Sequence, residues 1–269
     1  MAIADVTEVS ITDLISLKGR RAVVTGGAQG LGKAMARRLA EAGASVLIGD
    51  LKLEQAEATA AEFGGRYGGR VIATRLDVTD TASIMAAADL AESELGGIDI
   101  WVNNAGLYPN VLLLDMTDEV WDQVMAVNLR GVFASCREVA RRMIDAGRGG
   151  VLINVVSTAG FQGVAPGVSA YVASKHGVRG LIRQLAIELA PHDIRVLGVA
   201  PTFCETEGNT EALAKLPDRV RTEIASTLTS RLGRVGVPDD IARVVLFAAS
   251  DLSAFMTGST ILADAGEIA

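Results

Sequence analysis

The apolar run Ala22–Thr25 passes directly into Thr25-Gly26-Gly27-Ala28-Gln29-Gly30-Leu31-Gly32 and then into the helical pattern Leu31–Ala42. No other stretch restricts the fold as strongly. Glycines between a strand and a helix let the backbone turn tightly, approach a pyrophosphate and pack the helix close to the strand. The helix start adds unbonded N–H groups and partial positive charge suited to phosphate. The plainer alternative is a tight strand–helix turn without a ligand.

The same alternation continues along the chain. Val46–Gly49, Val71–Leu76, Ile100–Val102, Val151–Val156, Val196–Val199 and Ile261–Ala263 read as further strands. Between them Leu53–Phe63, Ala82–Leu95, Asp118–Met143, Ala170–Leu189 and Asp239–Ala249 read as helices, with Thr117 and Pro238 as start signals. Most strands are continuously apolar, as in parallel sheets covered on both faces. The pattern predicts a doubly wound α/β fold with a seven-stranded parallel sheet and right-handed crossovers. At 269 residues and 49% hydrophobic, with 29 glycines and few aromatics, the chain suits one domain of thin helices on a buried sheet.

Several function classes drop out at this level. A net charge of −7 argues against nucleic acid as partner. No apolar run reaches the roughly 18 residues of a membrane span. The first residues carry Asp5, Glu8 and Asp13 and do not resemble a signal peptide, so the expected location is cytoplasmic. Cys136 and Cys204 are too few for a disulfide framework, and His176 and His192, the only histidines, do not suggest a metal site.

Polar residues recur where strands end. Asp50 closes the second strand, where a carboxylate accepts from an adenosine ribose and repels a 2′-phosphate. Neither Gln29 nor Leu51 is cationic, which favours NAD over NADP. Lys52 is either a phosphate ligand or a solvated lysine at a helix start. Asp77, after the third strand, either accepts from an adenine amino group or caps the next helix. Asn103-Asn104-Ala105-Gly106 is either a plain turn or a place where backbone nears a cofactor and amides join strand ends. Tyr171 and Lys175, in YVASK, stand one helical turn apart. A lysine ammonium beside a phenol favours the phenolate and lowers its pKa from about 10, so the pair suits proton transfer near neutral pH. Taken alone, the spacing also fits a surface pair.

TGGAQGLG, LDV, NNAG, the asparagine of VNLRG, the serine of NVVST and YVASK occur in this order, and together the chain resembles the short-chain dehydrogenase/reductase family over about residues 17–266. The resemblance implies a Rossmann fold and hydride transfer between a nicotinamide cofactor, NAD here, and a secondary alcohol or ketone. It assigns Tyr171 as acid/base and gives Lys175 the phenol and the nicotinamide ribose. Ser157 takes the substrate oxygen, and Asn128 a water linking the lysine to solvent. It carries cofactor contacts to Gly26, Gln29, Gly30, Leu31 and Gly32, to Asp50 and Leu51, and to Asp77 and Val78. Asn104, Ala105, Gly106, Tyr171, Lys175, Pro201, Thr202, Phe203 and Thr206 complete that set. A homotetramer or dimer through the two long helices is implied as well.

Two departures stand out. Thr202 replaces a usual glycine, which puts the local backbone in question because β-branching restricts it, and Asp264-Ala265-Gly266 stands where Asp-Gly-Gly is common. Residues 203–232 are expected to cover the substrate, with Arg219, Arg221 and Glu223 on a solvated face, while residues 1–16 form an added arm. The pocket is expected to be lined by Leu107, Tyr108, Ser157, Ala159, Phe161, Gln162, Val164 and Phe203. That mostly apolar set suggests a hydrophobic aromatic, alicyclic or steroid-like substrate, and Cys204 is expected to be inert. The competing readings are a catalytically silent nucleotide-binding scaffold and a sugar-nucleotide epimerase or dehydratase. Such silent relatives typically lose the tyrosine, lysine or serine, and the epimerases are longer chains with different glycine spacing.

Overall fold

A computed structural model describes residues 5–214 and 230–269. Strands β1 (Arg21–Thr25), β2 (Ser45–Asp50), β3 (Val71–Arg75), β4 (Ile100–Asn103), β5 (Gly150–Val155), β6 (Ile194–Pro201) and β7 (Thr260–Ala263) form one sheet. Its order is β3-β2-β1-β4-β5-β6-β7 and every pairing is parallel. The helices are α1 (Ile11–Ile15), α2 (Gly30–Glu41), α3 (Leu53–Gly64), α4 (Thr81–Leu95), α5 (Asp118–Met125), α6 (Gly131–Asp145), α7 (Ser169–Leu189), α8 (Glu207–Ala214) and α9 (Pro238–Ala249).

The continuous apolar runs follow from two covered faces. Alternate strand residues Val23, Leu47, Trp101, Leu152 and Val196 join a core with Ile84 and Ala88 of α4, Val139 of α6 and Ile182 of α7. Their neighbours Val24, Ile48, Val102, Ile153 and Leu197 face the other way, with Met35 and Leu39 of α2, Phe63 of α3 and Val245 of α9. Each fully buried aliphatic side chain of this kind contributes about 1.5–3 kcal/mol. Alanines on the helix faces, such as Ala36, Ala88 and Ala248, let backbones sit close to the sheet.

Strand order turns back on itself between β1 and β4, and that switch opens a crevice beyond their carboxyl ends. The register sets the geometry: Val24 lies opposite Val102, so Thr25 faces the loop that starts at Asn104. Thr117 caps α5 as its position suggested, its Oγ1 accepting from Val120 N at 3.4 Å. Pro238 occupies the first turn of α9 with Asp239 and Asp240.

One helix differs from expectation. The single span Asp118–Met143 is divided into α5, a π segment Ala126–Arg130, and α6. Hydrophobic periodicity averages over several turns and does not register one inserted residue. In the arm before β1, α1 is capped by Ser10, whose Oγ accepts from Asp13 N at 3.2 Å. Among the described residues no helix is long and apolar enough to cross a membrane. The candidate solvated charges Arg219, Arg221 and Glu223 lie outside the described residues.

Candidate active site

The glycine loop runs from the end of β1 into α2. Gly30 opens the helix at φ +56, a left-handed conformation that side-chain-bearing residues rarely adopt. Gly32 sits so close to Gly26 that any Cβ there would overlap the Gly26 carbonyl oxygen. This packing brings the start of α2 against the end of β1, with its first N–H groups at the crevice. Gln29 precedes the helix without capping it; its Oε1 instead accepts from Gln55 Nε2 at 3.2 Å and Lys52 Nζ at 3.5 Å.

Asp50 ties the second strand to this loop. Its Oδ2 accepts from Ala28 N at 3.1 Å and its Oδ1 from Lys52 N at 3.0 Å. A carboxylate has about four lone-pair sites, so both oxygens retain capacity for ribose hydroxyls. Leu51 is exposed beside it. Asp77 does not cap α4: its Oδ1 accepts from the backbone N and hydroxyl of Thr79, and these bonds hold its carboxyl below the usual range. Asp80 is the cap, accepting from Ala82 N. Val78 packs against Gly131, where α6 begins.

The NNAG residues join two strand ends. Asn104 Nδ2 donates to Thr25 O at 2.9 Å and Gly26 O at 3.0 Å. The Thr25 hydroxyl in turn accepts from Asn104 N and Ala105 N at 3.0 and 3.1 Å. Thr25 was not singled out in the sequence, because a threonine ending a strand is unremarkable until the opposite loop is known. Asn103 turns away into the core, where it bonds Trp101 Nε1 and Asn154.

Ser157, Tyr171, Lys175 and Asn128 gather beyond β4 and β5. The Lys175 ammonium donates to Val155 O at 2.7 Å and lies 5.6 Å from the Tyr171 ring centre. Burial lowers its pKa from 10.5 to about 8. The Ser157 hydroxyl accepts from Ala159 N at 3.1 Å and acts on the Tyr171 phenol as a hydrogen-bond partner. The expected downward shift of the phenol needs correction. Burial raises the Tyr171 pKa, the Ser157 bond offsets part of that, and Tyr108 adds to the rise. Lys175 does not reverse the rise; its ammonium is turned to the Val155 carbonyl.

Asn128 is at the centre of the π segment and has no exposed surface. Its Nδ2 donates to Leu107 O at 2.7 Å and Ser174 Oγ at 3.2 Å, and its Oδ1 accepts from Leu107 N at 2.8 Å. Ser174 Oγ donates to Tyr171 O at 2.7 Å. The carboxamide thus clamps the loop after NNAG onto α7 beneath the tyrosine. π widenings often occur at functional positions; here one turns this side chain onto the loop. Gly106 lies alongside, where a Cβ would meet Asn128 Oδ1 at 3.4 Å and Lys175 Nζ at 4.0 Å.

The substrate side departs most from the sequence reading. Ala159 has no exposed surface, so it cannot line a pocket without rearrangement. Phe161 is covered by Arg179, whose guanidinium carbon lies 3.8 Å from the ring centre, and packs on the core. Gln162, Val164 and Tyr108 are exposed, while Leu107 and Phe203 are half-buried. Tyr108 stands edge-on to Tyr171 with ring centres 6.0 Å apart, and its hydroxyl donates to Asn209 Oδ1 at 2.9 Å. Asn209, a residue the sequence reading missed, also donates to Cys204 O at 2.7 Å. Burial pushes the Cys204 thiol up to about 11, which keeps it a poor nucleophile.

Thr202, next to Pro201, has no left-handed backbone, and its hydroxyl donates to Glu267 Oε2. The missing glycine therefore costs no strain there. The strain lies instead at Ala265, held at φ 48. Thr206 caps α8, its Oγ1 accepting from Asn209 N at 3.2 Å.

A parallel doubly wound sheet, a glycine cradle at its switch point and a tyrosine–lysine–serine group across the crevice define a nucleotide-dependent oxidoreductase. The chain belongs to the short-chain dehydrogenase family, whose model matches residues 20–217. It is 41% identical to a 3-oxoacyl-(acyl-carrier-protein) reductase of Thermotoga maritima, over 93% of this chain and 98% of that one. It is 38% identical to a D-threitol dehydrogenase of Mycolicibacterium smegmatis, over 96% of each. A short-chain type dehydrogenase/reductase of Mycobacterium marinum superposes with a TM-score of 0.88 at 36% identity, covering 96% of this chain and 99% of that one.

Proposed function

We propose that this chain is an NAD(H)-linked enzyme that interconverts a secondary alcohol and a ketone, with Tyr171 as general acid/base. The observation that carries the reading is the group of Tyr171, Ser157 and Lys175 at one crevice, braced by the Asn128 clamp. The dinucleotide would be held by the glycine loop, Asp50, Asn104, Lys175 and the Pro201–Thr206 segment, and it supplies the hydride acceptor or donor. Tyr171 takes the proton of the alcohol, or returns it to the carbonyl oxygen. Ser157 donates to that oxygen as negative charge develops on it. Near neutral pH Lys175, with a pKa of about 8, keeps most of its charge 5.6 Å from the Tyr171 ring centre.

Asp50 supports NAD. A 2′-phosphate would meet its carboxylate, and the neighbouring Lys52 is engaged with Gln29. Leu107, Val164 and Phe203 supply an apolar wall, and Tyr108 with Asn209 a polar edge. The relatives' names specify a 3-oxoacyl group in one case and D-threitol in another. Exposed Trp121, Phe133 and Ile187 on α5, α6 and α7 support pairing of these helices in a cytoplasmic homotetramer. Fluorescence titration with NADH and NADPH, followed by turnover on hydrophobic, acyl and polyol carbonyls, tests the reading. Tighter NADH binding with turnover is expected. Cofactor binding without turnover on any member would favour the silent scaffold.

A further inference from the structure

Helix α8 starts directly over the phosphate loop. A Cβ at Gly30 would lie 3.5 Å from both the Cβ and Cγ2 of Thr206, the residue that caps α8. From the next position Glu207 extends its carboxylate back to the loop, and Gly30 N donates to Glu207 Oε2 at 3.1 Å. Gly30 is the first residue of α2, so this amide has no partner within the helix and carries the positive end of its dipole. The α2 start therefore already holds an anion, and the anion comes from the segment expected to cover the substrate.

An N–H has one hydrogen to donate. A carboxylate in that place and a pyrophosphate on the same helix end also repel each other. We propose that Glu207 is an affinity-setting residue for the cofactor: its carboxylate holds the anion position at the start of α2 and withdraws when a dinucleotide pyrophosphate takes it. The proposal rests on the dinucleotide-binding reading above.

Withdrawal at this point reaches the reacting centre. Two residues beyond Glu207, Asn209 holds the Tyr108 hydroxyl at 2.9 Å and the Cys204 carbonyl at 2.7 Å. The Tyr108 ring stands edge-on to Tyr171. One turn of α8 thus contacts the phosphate loop through Glu207 and the wall beside the candidate acid/base through Asn209. Seating the pyrophosphate shifts the first contact and, through the helix, the second.

Glu207 is exposed, so its replacement leaves the core untouched. The test compares wild type, Glu207→Gln and Glu207→Ala by titration with NADH, ADP-ribose and adenosine. A carboxylate at a helix N-terminus is worth roughly a two- to fivefold factor. Glu207→Ala is expected to tighten NADH and ADP-ribose by about that factor or more, with Glu207→Gln between it and wild type. Adenosine, which lacks phosphate, should bind all three alike. Unchanged or weaker NADH binding in Glu207→Ala overturns the proposal alone, as does equal tightening of adenosine. A wild-type chain that binds neither NADH nor NADPH overturns the dinucleotide reading and this proposal with it.

Discussion

The two sides of the crevice are held by different kinds of bond. On the nucleotide side, Asp50 meets Ala28 and Asn104 meets Thr25 and Gly26 because the ladder aligns the strand ends that carry them. On the side of the segment after β6, Tyr108 meets Asn209, Thr202 meets Glu267 and Glu207 reaches across to Gly30, over loops that no ladder aligns. The first set is fixed once the sheet forms. The second set can be exchanged for bonds to a ligand without loss of the sheet. Rigid placement of one reactant beside an adjustable wall for the other suits an enzyme that keeps its cofactor chemistry and varies its substrate.

Substitutions can break or sharpen this contrast. Tyr171→Phe should reduce turnover by about 10²–10⁴-fold while leaving NADH affinity nearly unchanged; steady-state rates beside a fluorescence titration decide it, and near-normal rates would refute the assignment. Asn128→Ala removes three hydrogen bonds from a residue with no exposed surface. It should cost about 2–4 kcal/mol in denaturant unfolding, because the Leu107 backbone is left unpaired. If stability is unaffected, the clamp is ornamental.

Lys175 gives a pH signature. Its folded pKa, about 8, lies below its unfolded value of 10.5, so the unfolded chain binds more protons between those limits. Its contribution is therefore present above pH 10.5 and lost as pH falls through 8. Melts of wild type and Lys175→Met should show wild type gaining on the variant from pH 8 to 10.5, by up to a few kcal/mol. Asp50→Ser should weaken NADH about tenfold and improve NADPH, as paired titrations would show. Unaltered preference would mean that Asp50 serves only to fasten Ala28. Smallest of all, Ala265→Gly should stabilise by about 1 kcal/mol in denaturant melts by relieving a left-handed alanine.

What the sequence disclosed follows the same division. The strands themselves, the glycine cradle, Asp50, and the serine, tyrosine and lysine were legible because each lies in a short string whose character depends on near neighbours. Bonds between distant loops were not. Nothing around Glu207 or Asn209 marks them out before α8 is placed beside Gly30 and Tyr108. Ala159 flanks a motif in sequence yet is fully buried, and Phe161 is half-buried against Arg179. Spacing predicted that the lysine lowers the phenol's pKa, but burial, which raises it, exists only in the folded chain.

The widened turn at Ala126–Arg130 has one more consequence. A single residue advances an α-helix by about 100°, so the extra one rotates everything after it relative to α5. Shortening the segment by one position would swing Val132, Val139 and Met143 off the sheet and carry Asn128 away from Leu107 together. Changes of residue type in this stretch are separable events; a change of length would unseat a core layer and the bracing of the acid/base in one stroke.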